Sequence, residues 1–310
     1  MTYLGKTLIP MNKIKRLVLF VMLPLAQVHG QPAYRVLPAP PNHPMLNAWQ
    51  PYISFDGAVI LFLSDNTEGK IPRLFISTKA AGDWKDPAEL PKGMNSNTNF
   101  RDGFSLSPDA RTVYVSSSRP GTLGGYDIFG FQLPAGNDGG INLGRSVNSA
   151  ENEASMVITP DGNTAYFMRC ASMNTNVCSS CRIMTTTKKS GNWEPASELP
   201  ASINAGNSMF PRILADGNTL LFASDRHQPS RGGSDLYMST RTESGWSNPV
   251  ALEFLNTEQD DAMVSVQSSG RNATGAVNAG GRWQLADTPF PATTRPIGVC
   301  LLYTSPSPRD

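Results

Sequence analysis

The hydrophobic positions of this chain fall into short runs of β-branched, aromatic and aliphatic residues, separated by turns rich in Asp and Gly. The first set of runs comprises residues 59–63, 112–115, 164–167 and 219–222. The second set begins at residues 73, 127, 182 and 235. Runs of this composition that follow an Asp-Gly turn are typical of antiparallel hairpins. The pattern therefore predicts an all-β protein.

Three sequence markers recur along the chain about every 53 residues, as an internal repeat would place them. The first is an apolar residue followed by Asn, at Asn42 (a degenerate copy), Asn95, Asn148, Asn204 and Asn256. The second is the turn marker, at Asp56, Asp109, Asp161 and Asp216, with Ser269 in a degenerate fifth copy. The third is Gly-x-Trp or Gly-Trp, which ends at Trp84, Trp193, Trp246 and Trp283. Three markers in register over five copies indicate five repeats.

Each repeat predicts four strands. An inner strand precedes the turn marker, the two apolar runs follow it, and a short, more polar run comes last. Four antiparallel strands form one blade of a β-propeller, a unit that buries its faces only against neighbouring blades. The fifth copy stops after Trp283. We therefore expect a β-propeller with five visible blades, the last one truncated, in an incomplete ring. Six or more blades remain open.

Composition and charge narrow the possible function classes. The 310 residues include 26 Lys and Arg and 25 Asp and Glu, which gives a formal net charge of +1. A chain without a net field is not steered toward nucleic acid or anionic lipid. The 27 Gly and 25 Pro residues fit a turn-rich globular protein rather than a coiled coil. We expect no nucleic-acid partner.

The N-terminus has the pattern of a secretory signal peptide, predicted over residues 1–30. A short basic stretch after Met11 leads into the apolar residues 17–26, and Val28 and Gly30 occupy the −3 and −1 positions of a cleavage site. Met11 is a better start than Met1, because the preceding residues only lengthen the segment. The apolar run is short for a bilayer span, which needs about 20 residues. We expect an exported mature chain without a transmembrane segment; a membrane anchor is the alternative.

The C-terminal residues 300–310, which include Cys300, do not share the repeat pattern. They resemble the translated sequencing-adapter tails that end many reading frames assembled from environmental DNA. The expectation is that this tail is not native and that residues 31–299 form the propeller unit. A genuine disordered tail is the alternative.

The fourth repeat is the most complete, over residues 216–226, 232–239 and 245–249, and its Gly232-Gly233-Ser234-Asp235 element recurs in the second repeat but not in the first or third. These residues resemble the WD-repeat-like propeller repeats of TolB type found in bacterial envelope proteins. The resemblance implies a secreted, non-enzymatic scaffold that binds a protein or a glycan in the periplasm or at the outer membrane of a Gram-negative bacterium. Such repeats often precede an OmpA-like domain, so a peptidoglycan link is expected only through further sequence.

Candidate chemistry is sparse. Outside the predicted signal peptide the only histidines are His43 and His227, too few for a zinc motif and poorly placed for a Ser-His-Asp triad. We therefore expect no cofactor and no metal.

Acidic residues offer a more specific hypothesis. Eight positions before each turn marker, where the inner strand should begin, four of the five repeats place a charged or polar residue, whereas the first repeat has Ala48. The resulting candidate binding set at the channel mouth is Arg101, Asp102, Glu153, Asp260 and Asp261. The alternative is a propeller-type glycoside hydrolase that uses Glu153 and Asp261, since this chemistry needs two carboxylates.

Other recurring residues predict a structural role. The turn carboxylates Asp56, Asp109, Asp161 and Asp216 should accept backbone N–H bonds. Asp127 and Asp235 should bind loop backbone or the guanidinium groups of Arg119 and Arg226. The repeated Trp residues should pack at blade edges.

Three cysteines lie close together in the third repeat. In an exported protein a disulfide is favoured, and Cys170 and Cys181 can face each other across the hairpin loop. Cys178 is then left over. A metal site and free thiols remain alternatives.

Overall fold

The computed structural model describes residues 34–65, 72–98, 103–134, 139–174, 178–262, 264–266, 270–279 and 282–290. The predicted signal peptide and the C-terminal tail lie outside these residues. Within them the protein is a five-bladed β-propeller, which confirms the predicted fold, and the one helix described, α1 (Lys92–Asn95), is a single turn. No helix in the described part of the chain is long and apolar enough to cross a membrane.

The strands follow one another blade by blade. A terminal strand, β1 (Arg35–Val36), precedes the first blade. The first blade comprises β2 (Asn47–Ile53), β3 (Val59–Asp65), β4 (Pro72–Ala80), β5 (Asp83–Trp84) and β6 (Ala88–Glu89). The second blade comprises β7 (Phe104–Leu106), β8 (Thr112–Ser117), β9 (Asp127–Gln132) and β10 (Ile141–Asn142).

The remaining blades continue the pattern. The third blade comprises β11 (Asn152–Ile158), β12 (Thr164–Met173), β13 (Cys178–Lys189), β14 (Asn192–Trp193) and β15 (Ser197–Glu198). The fourth blade comprises β16 (Ser208–Ile213), β17 (Thr219–Ser224), β18 (Asp235–Thr242), β19 (Gly245–Trp246) and β20 (Val250–Ala251). The fifth blade comprises β21 (Ser265–Val266), β22 (Asn272–Ala279) and β23 (Arg282–Pro289), together with β1. All the pairings are antiparallel, and the first strand of each blade is the innermost.

The fifth blade differs from the sequence expectation of a truncated repeat. Its outermost strand is β1, which pairs with β23 through Arg35 opposite Asp287 and Val36 opposite Ala286. The first and fifth blades also share one apolar cluster, which includes Ala48 and Leu285. The two ends of the repeat array therefore meet directly, and we call this contact the seam.

The repeated Asn explains much of the repeat. At the seam, the Asn42 amide accepts from the backbone N–H of Leu285 at 2.7 Å and donates to its carbonyl at 2.9 Å. The same two-way contact with the third strand recurs at three of the other connections, where the partners are Ile128 for Asn148, Ile183 for Asn204 and Leu236 for Asn256. Asn95 also accepts the backbone N–H of a third-strand residue, Leu74, but its amide nitrogen donates to the Leu90 carbonyl. One buried amide thus ties each third strand to the segment that leads into the next blade.

The turn carboxylates hold the hairpins between the first and second strands. Each accepts a backbone N–H two residues on; these donors are Ala58, Arg111, Asn163 and Asn218. A hydrogen bond from the Ser107 hydroxyl lowers the pKa of Asp109, and one from Thr159 lowers that of Asp161. An Asp side chain that bonds backbone two residues on favours a turn at that position.

The core lies between blades, where each sheet packs its face on the next. One cluster, for example, joins Leu61 and Leu74 of the first blade to Phe104, Val113 and Phe131 of the second. These side chains are buried to 2% exposure or less. Because burial contributes roughly 25 cal/mol per Å² of apolar surface, each blade depends on both neighbours for its stability.

One of the four Gly-x-Trp markers, the copy that ends at Trp283, occupies a different turn from the other three. Trp84, Trp193 and Trp246 lie at the turn between the third and fourth strands. Lys79 and Lys188 lie 4.6 and 4.7 Å above the first two of these rings. Trp283 is instead the second residue of β23, opposite Asn278, next to the turn between the second and third strands. It therefore lies on the opposite face of the ring from the other three.

Candidate functional site

The inner strands share a backbone irregularity six residues before the turn marker. Gln50, Ser155 and Phe210 have left-handed φ angles of 52°, 52° and 51°, and Gly103 holds the equivalent position with φ 100°. The strand register shifts at the three non-glycine positions. Bulges of this kind bend a strand and redirect its side chains, and left-handed non-glycine residues recur at functional sites. The inner rim of the ring is therefore the first place to look for a site.

A cavity of about 570 Å³ opens beside the first of these bulges, at the seam. Its lining comprises Asn47, Trp49, Gln50, Pro51, Asp65, Asp260, Ala262, Ala276 and Trp283. We call it the seam cavity. It lies on the face that carries the turns between second and third strands, because Asp65 ends β3 and Trp283 is the second residue of β23. The cavity combines two indoles, two carboxylates and two amides, and none of the lining residues that the structure describes is basic.

Asn47 organises this cavity across the seam. Its amide nitrogen donates to Oδ1 of Asp65 at 2.9 Å, and its amide oxygen accepts the backbone N–H of Trp283 at 2.7 Å. The indole of Trp283 is 43% exposed, whereas Trp49 packs against the cluster between the first two blades. The carboxylate of Asp260 accepts the backbone N–H of Ser234 at 3.0 Å through Oδ1. Each of the two carboxylates is therefore held through its own Oδ1.

Glu153 differs from the sequence expectation of an acid at the channel mouth. Its side chain is fully buried and pairs with Nε of Arg169 at 2.7 Å. The backbone N–H of Ser149 donates to its second oxygen at 3.0 Å. Burial raises the pKa of Glu153, and the bonds from Ser149 and Arg169 oppose that rise. A carboxylate enclosed by these partners is a structural element of the contact between the second and third blades.

Asp261 is the counterpart of Glu153 in the fifth repeat, and it is also engaged. It accepts the backbone N–H of Thr257 at 2.5 Å and the hydroxyl of the same residue at 3.2 Å. Burial raises the pKa of Asp261. Of the predicted binding set, only Asp260 lines the seam cavity, and Arg101 and Asp102 lie outside the described residues.

Asp127 and Asp235 bind loop backbone. Asp127 accepts the N–H groups of Leu123 and Gly124 at 2.8 and 3.2 Å, and Asp235 accepts that of Arg231 at 2.6 Å. The alternative partners do not take part: no ion pair in the described chain joins Asp127 to Arg119 or Asp235 to Arg226.

The two arginines have other surroundings. The Arg119 guanidinium donates to the carbonyls of Gly93, Ser96 and Gly139 and lies 4.6 Å from the ring of Phe131. Arg226 is exposed. Arg119 therefore ties loops together within and around the second blade, and these same loops line a cavity of about 530 Å³.

The glycine pairs of the second and fourth repeats allow the next blade to approach. A Cβ on Gly124 would lie 1.9 Å from the carbonyl oxygen of Glu151, and one on Gly232 would lie 2.0 Å from that of Gln259. Only glycine fits under a neighbouring backbone at that separation. This is the physical reason for the Gly-Gly-x-Asp element, which closes two of the contacts between blades.

The third blade replaces that element with a long hairpin of β12 and β13. Cys170 and Cys181 face each other in this hairpin and form a disulfide, the pairing that the sequence favoured. Cys178 is outside that bond and packs against the cluster between the third and fourth blades. No group of three or more His, Cys, Asp or Glu side chains that could hold a metal occurs among the described residues.

Arg212 and Tyr52 make a contact at the ring centre that the sequence pattern did not predict. The guanidinium of Arg212 lies 5.1 Å from the ring of Tyr52. These residues come from the inner strands of the fourth and first blades, which are not neighbours, so the contact reaches across the ring. Burial lowers the pKa of Arg212 and raises that of Tyr52.

Sequence reasoning missed most of the seam cavity. Trp49, Asn47 and Asp65 carried no repeat marker, and Trp283 was grouped with the edge tryptophans. A usable signal was present in the spacing of the fifth repeat, where Trp283 follows Ser269 by 14 positions, against 28 positions from Asp56 to Trp84. That shorter spacing indicates that Gly-x-Trp lies at a different turn from the one used in the other repeats.

No protein-family model and no curated protein matches this chain. Solved structures with the same fold do match. A TolB candidate from Agrobacterium tumefaciens is 16% identical, with a TM-score of 0.45, and the match covers 74% of this chain and 69% of that one.

Two enzymes are matched to a similar extent. An endo-arabinase from Bacteroides thetaiotaomicron is 16% identical, with a TM-score of 0.49, over 83% of this chain and 98% of that one. An oligogalacturonate lyase from Vibrio parahaemolyticus is 9% identical, with a TM-score of 0.44, over 82% and 93%. The likeness concerns the β-propeller fold alone.

Proposed function

We propose that this protein is an exported, non-catalytic scaffold of a Gram-negative envelope that binds a partner protein or glycan at the seam cavity. The observation that carries the proposal is the cavity itself: a concave site with two indoles and a few oriented polar groups is the usual form of a binding site. The predicted signal peptide and the TolB-type repeat pattern support export and an envelope location.

The state of the predicted catalytic acids supports a non-catalytic role. A glycosidase of this kind needs one carboxylic acid and one carboxylate that both reach the substrate. Glu153 is enclosed by Arg169 and Ser149, and Asp261 is held by Thr257. Neither side chain lines the seam cavity.

Binding is tested by titrating the intrinsic fluorescence of the full chain with chitohexaose, cellohexaose and a Gly-Ser nonapeptide that contains one lysine. We expect at least one probe to saturate the wild type and Trp193→Ala, because the Trp193 ring is already covered by Lys188. The same probe should not saturate Trp283→Ala. Equal binding by all three proteins, or no binding by the wild type, would overturn the proposal.

Catalysis is tested separately on a broad panel of aryl glycosides. We expect no turnover by the wild type. Turnover that disappears in Glu153→Gln, while the variant keeps its circular dichroism spectrum, would favour the glycosidase instead.

A further inference from the structure

The seam cavity carries an electrostatic preference that the ring as a whole does not. The chain has a net charge of +1, yet the described lining of the cavity contains two carboxylates and no basic residue. The cation nearest in sequence, Arg282, is directed away, since it donates to the carbonyls of His43 and Leu46. A concave site with charge of one sign concentrates ligands of the opposite sign.

The carboxylates are held in place and still have capacity to bind. Oδ1 of Asp65 is fixed by the Asn47 amide, and Oδ1 of Asp260 is fixed by the Ser234 backbone N–H. Each of these two bonds engages only one oxygen of its carboxylate. Each residue can therefore direct its second oxygen to a ligand without losing its anchor.

The indoles determine which kind of cation fits. An ammonium or guanidinium group within about 6 Å of a Trp ring is attracted by the ring quadrupole, and this attraction strengthens when water is excluded. A bare metal ion such as Ca²⁺ instead requires six to eight oxygen ligands. Two carboxylates beside Trp49 and Trp283 suit the organic cation better.

On the basis of the proposed binding function, we infer that the seam cavity accepts an organic cation, an ammonium or guanidinium group, held between Trp49 and Trp283 and neutralised by Asp65 and Asp260. The group can belong to a free small molecule or to a basic side chain of a partner protein. Both sources present the same chemistry to the cavity.

The charge is isolated by comparing choline with its neutral isostere 3,3-dimethylbutan-1-ol in isothermal titration against the full chain. We expect choline to bind at least about tenfold more tightly, since about 1.4 kcal/mol separates a tenfold difference in affinity. Asp260→Asn should weaken choline by about threefold to tenfold and leave the alcohol unchanged. Choline affinity should also fall as salt is raised, because charges at an open site are screened.

Controls separate this inference from the proposed function. Trp283→Ala should lose both compounds, and Trp193→Ala should lose neither. Equal affinity for choline and the alcohol, or saccharide binding without choline binding, would overturn the cation assignment and leave the binding function intact. No binding of any probe would remove both.

The source of the cation is resolved by a second titration with the single-lysine nonapeptide and with N-acetyl-lysine amide. Peptide binding more than about tenfold tighter than that of the amide points to a protein partner, since further contacts then add to the affinity. Equal affinities point to a free small ammonium compound. Binding of neither compound, together with loss of choline binding at physiological salt, would contradict the inference.

Discussion

Two contacts between blades are built from the same repeat, but one is closely packed and the other contains a cavity. Between the second and third blades, Gly124 lies directly under the Glu151 carbonyl, and Glu153 is sealed against Arg169. At the seam, the equivalent space is the cavity beside Trp283. The connection between second and third strands spans nine residues (118–126) in the second blade and two (280–281) in the fifth. The cavity thus lies at the contact where the repeat is shortened.

The largest expected effect lies in the closed contact. Glu153→Ala should lower the free energy of unfolding by about 3–5 kcal/mol, because it leaves the Arg169 guanidinium, which is 14% exposed, without its partner. Asp260→Asn, one position from the equivalent site in the fifth repeat and exposed to solvent, should change it by about 0.5 kcal/mol or less. Urea unfolding measures both. Equal losses would show that the two contacts are not different in kind.

Gly124→Ala tests whether the closed contact depends on backbone proximity. The added Cβ would meet the Glu151 carbonyl oxygen, so we expect a loss of about 3 kcal/mol from overpacking. Gly139→Ala is the matched control, since no atom lies within 4 Å of a Cβ at that position. If thermal or urea unfolding gave the two variants the same stability, the close approach of the blades would not require glycine.

The seam can be weakened through Asn42. Asn42→Ala leaves the backbone N–H and carbonyl of Leu285 without their buried partner, at a cost of about 2 kcal/mol. Asn148→Ala removes the same contact from the closed region and should cost a similar amount.

Hydrogen exchange distinguishes the two Asn variants. Only Asn42→Ala should speed exchange of the Leu37 amide, which bonds to the Leu285 carbonyl next to β1. Unchanged protection of Leu37 in that variant would mean that β1 is held by its strand pairing alone.

The closed contact and the seam also show which features could be predicted from the sequence and which could not. The turn carboxylates and the strand runs act within a few residues, and the structure has them where the pattern predicted. The two-residue strand β1 carries no pattern and pairs with residues about 250 positions away, so the sequence alone suggested a truncated blade. The burial of Glu153 depends on Arg169 from the neighbouring strand, a partner that the spacing of the repeats does not reveal.

The smallest effect concerns the pH dependence of the two equivalent carboxylates. Burial raises the folded-state pKa of Asp261. A raised acid pKa means that the folded protein binds the proton more tightly than the unfolded chain, so the stability that it adds is present below the unfolded pKa of about 3.9 and is lost as pH rises through the folded value. The stability of the wild type relative to Asp261→Asn should therefore fall as the pH rises above about 3.9.

Glu153→Gln should show the same direction, because burial also raises the pKa of Glu153. Glu153→Gln should lose more free energy of unfolding than Asp261→Asn at every pH, since the amide cannot neutralise Arg169. Urea unfolding of the three proteins across this pH range measures both differences. If the stability of the wild type relative to Asp261→Asn rose with pH, the two bonds from Thr257 would outweigh burial in setting the pKa of Asp261. The ionised carboxylate would then be stabilised more strongly at Asp261 in the fifth repeat than at Glu153 in the third.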